Sequence, residues 1–418
     1  MEAMKLSRRQ FFQAASGAVA FASLPHVLRR AGIAAEEPIR IGNILDKSGI
    51  LNIYSLKQIS AAAMAVDEIN AAGGLLGRPL ELFFYDSQSD GQFNTKYATQ
   101  ALLKDKVSVI HGGITSSSRE VMRPAVRKFK GLLFYNSLYE GGVCDRRHVS
   151  TGMVPAQQLE PLIDYVVKDQ GAKKGYILAA DYNYGHITSK WMQKLIRDNG
   201  GEDLAVEFFP LDVSNFAPAI SRIQAAKPDV VWSALVGGAH IAFYRQFEST
   251  IGKKNMMLAS STYGVGLEQT QLSADEGDGI ILGTSFVDDL NTAAAKDFVS
   301  RFHAYTGDNG YVGEYGEYGE RGIKIWAEAV RQAGSPEPDA VMDALSKGGV
   351  SVNGAGGTYT VDGQTNHTTM DIHIVRGNRN KGFDVINSFS QRPPKDTQQV
   401  CDLHANPDDT IQYEVEVK

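Results

Sequence analysis

VSVIHGGITSSSREVMRPAVRKFKGLLFYNSLYEGG, residues 107–142, is the stretch on which the fold turns. Val107 to Ile110, apolar and β-branched except for Ser108, read as a strand, which Gly112-Gly113 end. Ser117-x-x-Glu120 has the spacing of a capping box, so a helix is expected to start at Ser117. Pro124 falls inside that helix and predicts a kink or a later start. A second strand, Leu132 to Tyr135, runs into the polar pair Asn136-Ser137. In a parallel α/β unit both strands end at the same sheet edge, the usual place for a small ligand. Thr115, Ser116, Ser117 and Ser118, with the free amides of the helix start, then form a cluster of neutral donors. Tyr135, Asn136 and Ser137 would face it from the next strand.

The same alternation extends both ways. Ile39 to Leu45 and Leu80 to Tyr85 read as strands, with helices over Ala61 to Ile69 and Asn94 to Lys104. Beyond Gly142 a second α/β series begins. Its strands are Gly175 to Ala180, Ala205 to Pro210, Asp229 to Ala234, Met256 to Ser260 and Gly279 to Leu282. Helices over Leu159 to Lys168, Thr188 to Asp198, Phe216 to Ala226 and Ala239 to Thr250 separate them. Helices over Phe298 to Tyr305 and Ile323 to Ala333 follow. Thr368 to Arg376 and Phe383 to Phe389 read as a hairpin-like pair, and the tail after Pro394 as a surface wrap. Gly310, Gly313, Gly316, Gly319 and Gly322 recur every third residue, without the proline of collagen. They read as a flexible lead-in to a helix with a small face against a neighbour.

Ala180 to Gly185, ADYNYG, ends a strand and opens a helix of the second series. Tyr182 and Tyr184 are thus candidate ligand contacts, since a tyrosine ring covers a planar group and its hydroxyl donates or accepts. Gly237, Thr262 and Tyr263 end later strands and are candidates by the same logic. Asp288-Asp289 is either a solvated loop pair or an acid for a cationic ligand.

The chain has 418 residues, long enough for two cores, and 43% hydrophobic content. Residues 1–35 read as a signal peptide: Ser7-Arg8-Arg9-Gln10-Phe11-Phe12 fits the twin-arginine pattern, and an apolar segment to Leu24 follows. That segment is too short to span a bilayer, and Ala34-Ala35 offers a cleavage site. The formal charge of −6 becomes about −10 without residues 1–35, which argues against a nucleic-acid partner. The two cysteines, Cys144 and Cys401, permit one bridge in an exported protein; two free thiols are the alternative. No nucleophile elbow, phosphate loop or zinc-protease motif is present, and two distant cysteines cannot make a zinc knuckle. His111 ends a strand near the expected cleft, yet has no recognisable partner for base chemistry.

TSSSRE, LLFYNSLYEG, ADYNYG, QTNHTT and the segment INAAGGLLGRPLEL resemble the solute-binding proteins of ABC transporters. Among these the chain looks most like the branch that binds urea and short-chain amides. The resemblance covers nearly all of it after residue 35. It implies an α/β fold of two Rossmann-like parallel-sheet lobes joined by a three-crossing hinge, the type I periplasmic-binding fold. Lobe 1 would hold residues 36–152 and 286–360, lobe 2 residues 153–285 and 361–392, and 393–418 the C-terminal tail. Crossings are expected at residues 150–156, Gly283 to Asp289 and Thr358 to Gln364. The resemblance further implies a periplasmic protein, expected as a monomer, that captures a small polar ligand for membrane permease subunits. It implies no catalytic residue, cofactor or metal. Ser116 would bond the ligand oxygen, Tyr135 and Ser137 would bond it from the same lobe, and Tyr182 and Tyr184 would cover it. Two features depart from the branch: Ile114 precedes Thr-Ser where an aromatic residue is typical, and Asn136-Ser137 replaces a proline-containing pair. A branched-chain or other amino acid, or a cationic amine or guanidine, is the alternative ligand, with Asp288 as the acid. An amide hydrolase is the alternative of another class.

Overall fold

The computed structural model describes residues 37–417, so the expected signal peptide lies outside the described residues. The chain begins β1 (Ile39–Leu45), α1 (Asn52–Ala71), β2 (Leu80–Asp86), α2 (Gly91–Leu103), β3 (Val109–Gly112), α3 (Ser116–Lys128), β4 (Leu133–Tyr135) and β5 (His148–Ser150). It continues with α4 (Pro155–Asp164), a π-helical turn (Tyr165–Asp169), β6 (Lys174–Ala180), α5 (Asn183–Asp198), β7 (Glu202–Phe209), α6 (Ala217–Ala226), β8 (Val230–Ala234), α7 (Gly238–Thr250) and β9 (Met257–Ser260). Then come α8 (Glu268–Gln271), α9 (Ala274–Gly277), β10 (Ile281–Thr284), α10 (Ala293–Thr306), α11 (Gly313–Ala333) and α12 (Pro338–Ser346). The last elements are β11 (Ser351–Gly354), β12 (Gly357–Asp362), β13 (His367–Gly377), β14 (Phe383–Arg392) and α13 (Lys395–Gln398).

The strands lie in the order β2-β1-β3-β4-β5-β13-β10-β9-β8-β6-β7. The pairs from β2 to β5 are parallel, as are those from β10 to β7. Parallel strands with helical crossovers are buried on both faces, and β3, β4, β6 and β8 are accordingly buried almost throughout. β13 joins the two halves: His367 bridges to Ser150 of β5, while its later residues pair antiparallel with β10 and β14. The passage expected at Thr358 to Gln364 is therefore displaced, because β12 still pairs with β11 and β13 on the first side.

Three other expectations change. α3 starts at Ser116 rather than Ser117, because the Thr115 hydroxyl accepts the Ser118 N–H at 3.1 Å and caps it. Glu120 pairs with Arg119 and Arg123 instead of reaching back. The helix runs on through Pro124. α1 begins at Asn52, nine residues before the apolar period becomes visible at Ala61. The glycine repeat is no flexible lead-in: Gly313 to Gly322 are the first turns of α11. The small face is present. A Cβ on Gly319 would lie 2.3 Å from the Gln58 carbonyl oxygen of α1, and one on Gly322 would strike the Asn136 side chain.

Cys144 and Cys401 form a disulfide with a Cα–Cα distance of 5.3 Å. The bond holds the tail against the loop after β4, where the Cys144 N–H donates to Ile411 O and Val143 bridges to Gln412. The close approach of α1 and α11 yields a test. Gly319→Ala should cost about 1–3 kcal/mol in urea denaturation, because a backbone carbonyl cannot move aside. Gly91→Ala, with open space at its Cβ, should leave the midpoint nearly unchanged.

Candidate functional site

A small cavity of about 20 Å³ lies between the two halves. Its wall is drawn from the chain just past the C-terminal ends of several strands, as the parallel arrangement dictates. Ile114, Thr115 and Ser116 follow β3, and Leu138 follows β4. Tyr182 and Tyr184 follow β6, Val236 follows β8, and Thr262 and Val265 follow β9. Tyr54 of α1 and Tyr315 of α11 complete the lining, in which no side chain is charged.

Most polar groups of the wall are fixed from behind. Thr262 Oγ1 donates to Leu235 O at 2.7 Å, and the Tyr184 hydroxyl meets Ser261 Oγ at 3.0 Å. The Tyr315 hydroxyl meets Ser137 Oγ at 2.6 Å, and Ser116 Oγ donates to the buried Glu140 carboxylate. Tyr54 reaches across the cleft: its oxygen accepts the Gly237 N–H at 2.8 Å and lies 3.1 Å from His240 Nε2. Burial pushes the His240 imidazole down to about 3, so it stays neutral beside that hydroxyl. The rings of Tyr182 and Tyr184 are 6.0 Å apart, and those of Tyr54 and Tyr315 are 5.7 Å apart. Burial also holds the Tyr182 and Tyr315 hydroxyls well above the usual phenol range, so both remain protonated donors.

The candidates named from the sequence thus separate. Thr115, Ser116, Tyr182, Tyr184 and Thr262 line the cavity. Tyr135, Asn136 and Ser137 stand behind the wall: Tyr135 and Ser137 each donate to Ile114 O at 2.9 Å, and Asn136 is held by Thr151 and His111. Ser117 is exposed on the outer side of α3. Gly237 contributes its N–H to Tyr54, and Tyr263 is buried against Tyr244 and Phe383. Asp288 is committed elsewhere: its two oxygens accept the Val312 and Gly313 N–H groups at 2.7 and 2.9 Å and cap α11. Asp289 accepts from Tyr311 and Phe383. His111 is enclosed by Phe134 and Trp326, and burial pushes it down to about 3.

Tyr54, Ile114, Leu138, Val236, Val265 and Tyr315 were missed as wall residues. Leu138, Val236 and Val265 each sit within three residues of a candidate and could have been read from the strand-end rule; Tyr54 and Tyr315 lie in helices and carry no such signal. Among the described residues no group of three or more His, Cys, Asp or Glu is placed to hold a metal ion.

Glu268 lies under Tyr54 and accepts the Gly264 and Gly266 N–H groups at 2.9 and 3.1 Å. Burial raises its carboxyl from 4.5 to about 7. The folded protein therefore keeps this proton while the unfolded chain releases it, and stability is lost as pH rises from 4.5 to about 7. Glu268→Gln should be as stable as the wild type below pH ~4.5 and more stable, by a few kcal/mol at most, at pH ~8. Urea midpoints at the two pH values check this.

Most of the described region compares well with known proteins. The periplasmic binding protein family model matches residues 38–382. A Leu/Ile/Val-binding protein homolog 3 of Brucella melitensis is 23% identical over 81% of this chain and 92% of its own length. A Rhodopseudomonas palustris ABC-transporter solute-binding protein, solved with 3,4-dihydroxybenzoic acid, superposes with a TM-score of 0.76. That match is 20% identical and covers 85% of this chain and 98% of the other. The branched-chain amino acid transporter substrate-binding protein LivJ of Streptococcus pneumoniae, solved with isoleucine, gives a TM-score of 0.73 at 20% identity, covering 85% and 100%. With its two parallel half-sheets, its shared strand β13 and a cavity between them, the chain belongs to the periplasmic binding protein family, as a type I solute-binding protein rather than an enzyme.

Proposed function

We propose that this periplasmic protein captures a small uncharged solute, a short-chain amide or urea, and presents it to the permease subunits of an ABC importer. The observation that carries this reading is the uncharged wall: hydroxyls of Thr115, Ser116 and Thr262 beside four tyrosines and four aliphatic side chains. A buried charge without a partner is costly, so such a cavity favours a neutral ligand with several donors and acceptors. Tyr182 and Tyr184 cover the planar group, and the hydroxyls satisfy its edge. The lobes are residues 36–152 with 286–362, and 153–285 with the later part of β13 and β14, β13 being shared. Ligand contacts to both favour the closed form by population shift. Tyr54, bonded to Gly237 across the cleft, is part of that closed form. The protein works as a monomer after export by the twin-arginine route through Ser7 to Phe12.

A branched-chain amino acid is the second reading, favoured by the names of the relatives. The first-turn amides of α3 suit a carboxylate. An ammonium would need an acid, however, and Asp288 and Glu268 are both occupied by backbone N–H groups.

Thermal-shift screening followed by calorimetry on the mature protein tests the ligand. The panel holds urea, acetamide, propionamide, guanidine, isoleucine and benzoate. An amide or urea at about 100 times its Kd should stabilise the fold by about 2.7 kcal/mol. Tyr182→Ala should weaken that binding about tenfold or more while the unliganded protein melts normally. Stabilisation by isoleucine, guanidine or benzoate alone would reject the amide reading.

A further inference from the structure

Glu140 is a fully buried acid that no wall contact requires, yet three donors are aimed at its two oxygens. Oε1 accepts Arg119 Nη2 at 2.8 Å and Gln412 Nε2 at 2.5 Å, and Oε2 accepts Ser116 Oγ. Arg119 and Glu140 are both 0% exposed in their side chains and form an ion pair. The guanidinium also rests 4.5 Å from the Tyr139 ring centre and donates to Gln412 Oε1 at 3.0 Å. A carboxylate in such a pair has only lone pairs to offer. The hydrogen bond to Ser116 can then have one direction: Ser116 gives its proton to Glu140. The neighbouring Tyr135 hydroxyl is committed to Ile114 O.

We propose that Glu140 sets the hydrogen-bond polarity of the cavity, turning Ser116 into an acceptor that selects ligands carrying an N–H donor at that point. This rests on the ligand reading above and sharpens it. A free serine hydroxyl rotates to suit either an oxygen or an N–H group, whereas one bound to a carboxylate shows the cavity only its lone pairs. The side of the ligand at Ser116 is then the NH₂ of an amide or urea. A carboxylate oxygen there would set lone pair against lone pair, with a second anion just behind. Ser116 thus bonds the ligand nitrogen, not its oxygen as the sequence suggested. Gln412 takes part as a positioning residue: it arrives from the tail and fixes the Glu140 oxygen that faces away from Ser116. The tail is fastened there by the Cys144–Cys401 bond.

Glu140→Gln is the discriminating variant. Its carbonyl can keep Arg119 and Gln412 while its NH₂ turns to Ser116 and donates, which frees the serine proton for the cavity. Acetamide and acetate differ at the atoms concerned and little in size. The acetamide-to-acetate affinity ratio of the wild type should fall at least about tenfold in Glu140→Gln, an effect of one reversed hydrogen bond. Ser116→Ala should weaken acetamide without raising acetate affinity. Melting of each unliganded variant shows whether it is folded, and Gln412→Ala supplies a milder probe with the ratio moving the same way. Neutron diffraction from the deuterated unliganded protein reads the polarity without any ligand. A Ser116 deuteron directed at Glu140 supports the proposal, and one directed into the cavity overturns it. An unchanged ratio in folded Glu140→Gln overturns the selective role while amide binding by the wild type stands. A wild type that takes acetate in preference, with the deuteron still on the Glu140 side, rejects the amide reading and the selective role but leaves the polarity itself.

Discussion

Parallel strands must all finish at the same edge of their sheet, and this constraint governs the molecule. β1, β3 and β4 end at one such edge, and β6, β8 and β9 at another. Because β13 belongs to both halves, the two edges meet across one cavity, and most of its wall consists of residues just beyond those strand ends. The chemistry of the site is therefore decided by a few short turns: Ile114 to Ser116, Leu138, Tyr182 to Tyr184, Val236 and Thr262 to Val265.

Behind those turns the molecule buries an unusual amount of polarity. Arg119 and Glu140 are enclosed together on one side, and Arg321 with Glu317 on the other. Such pairs are tolerated when their remaining lone pairs and protons are satisfied. Arg321 is in part: it donates to Thr151 O, Ser285 Oγ and the Tyr359 hydroxyl and lies over the Tyr359 ring, while its Nε has no hydrogen-bond partner. These clusters join elements distant in sequence, so the positions of wall residues depend on side chains that never touch the cavity. Ser137 shows how: it secures both Ile114 O and the Tyr315 hydroxyl without itself being exposed to the site.

The strands were largely legible, because buried parallel strands are short, apolar and bounded by glycine or polar residues. Helices were legible where an apolar face is periodic, and misplaced where it is not. Asn52 to Ser60 mixes tyrosine, leucine, lysine and glutamine without a clear period, so the start of α1, and Tyr54 with it, went unread. Glycines three apart look like disorder in sequence, but on α11 Gly316, Gly319 and Gly322 clear a path for α1 and β4's loop. Asp288 was misjudged for a different reason. An acid in a loop beside a cleft looks available until the helix that it caps is known. Thr115, Ser116, Tyr182, Tyr184 and Thr262 came from the strand-end rule, with the family resemblance beside it for Ser116, Tyr182 and Tyr184. Glu140 and Gln412 could not, since 271 residues separate the Gln412 amide from the Gly141 carbonyl it also bonds.

β13 has a mechanical meaning. One continuous strand pairs with β5 and β12 by its first residues and with β10 and β14 by the rest. Its ladder with β14 slips between Met370 and Ile372 and again between Ile374 and Val375, irregularities that concentrate twist. A strand shared in this way resists shear, because sliding would break hydrogen bonds on both sides at once, but it yields to torsion. Twist along this one strand therefore fixes the angle between the two sheet edges that line the cavity.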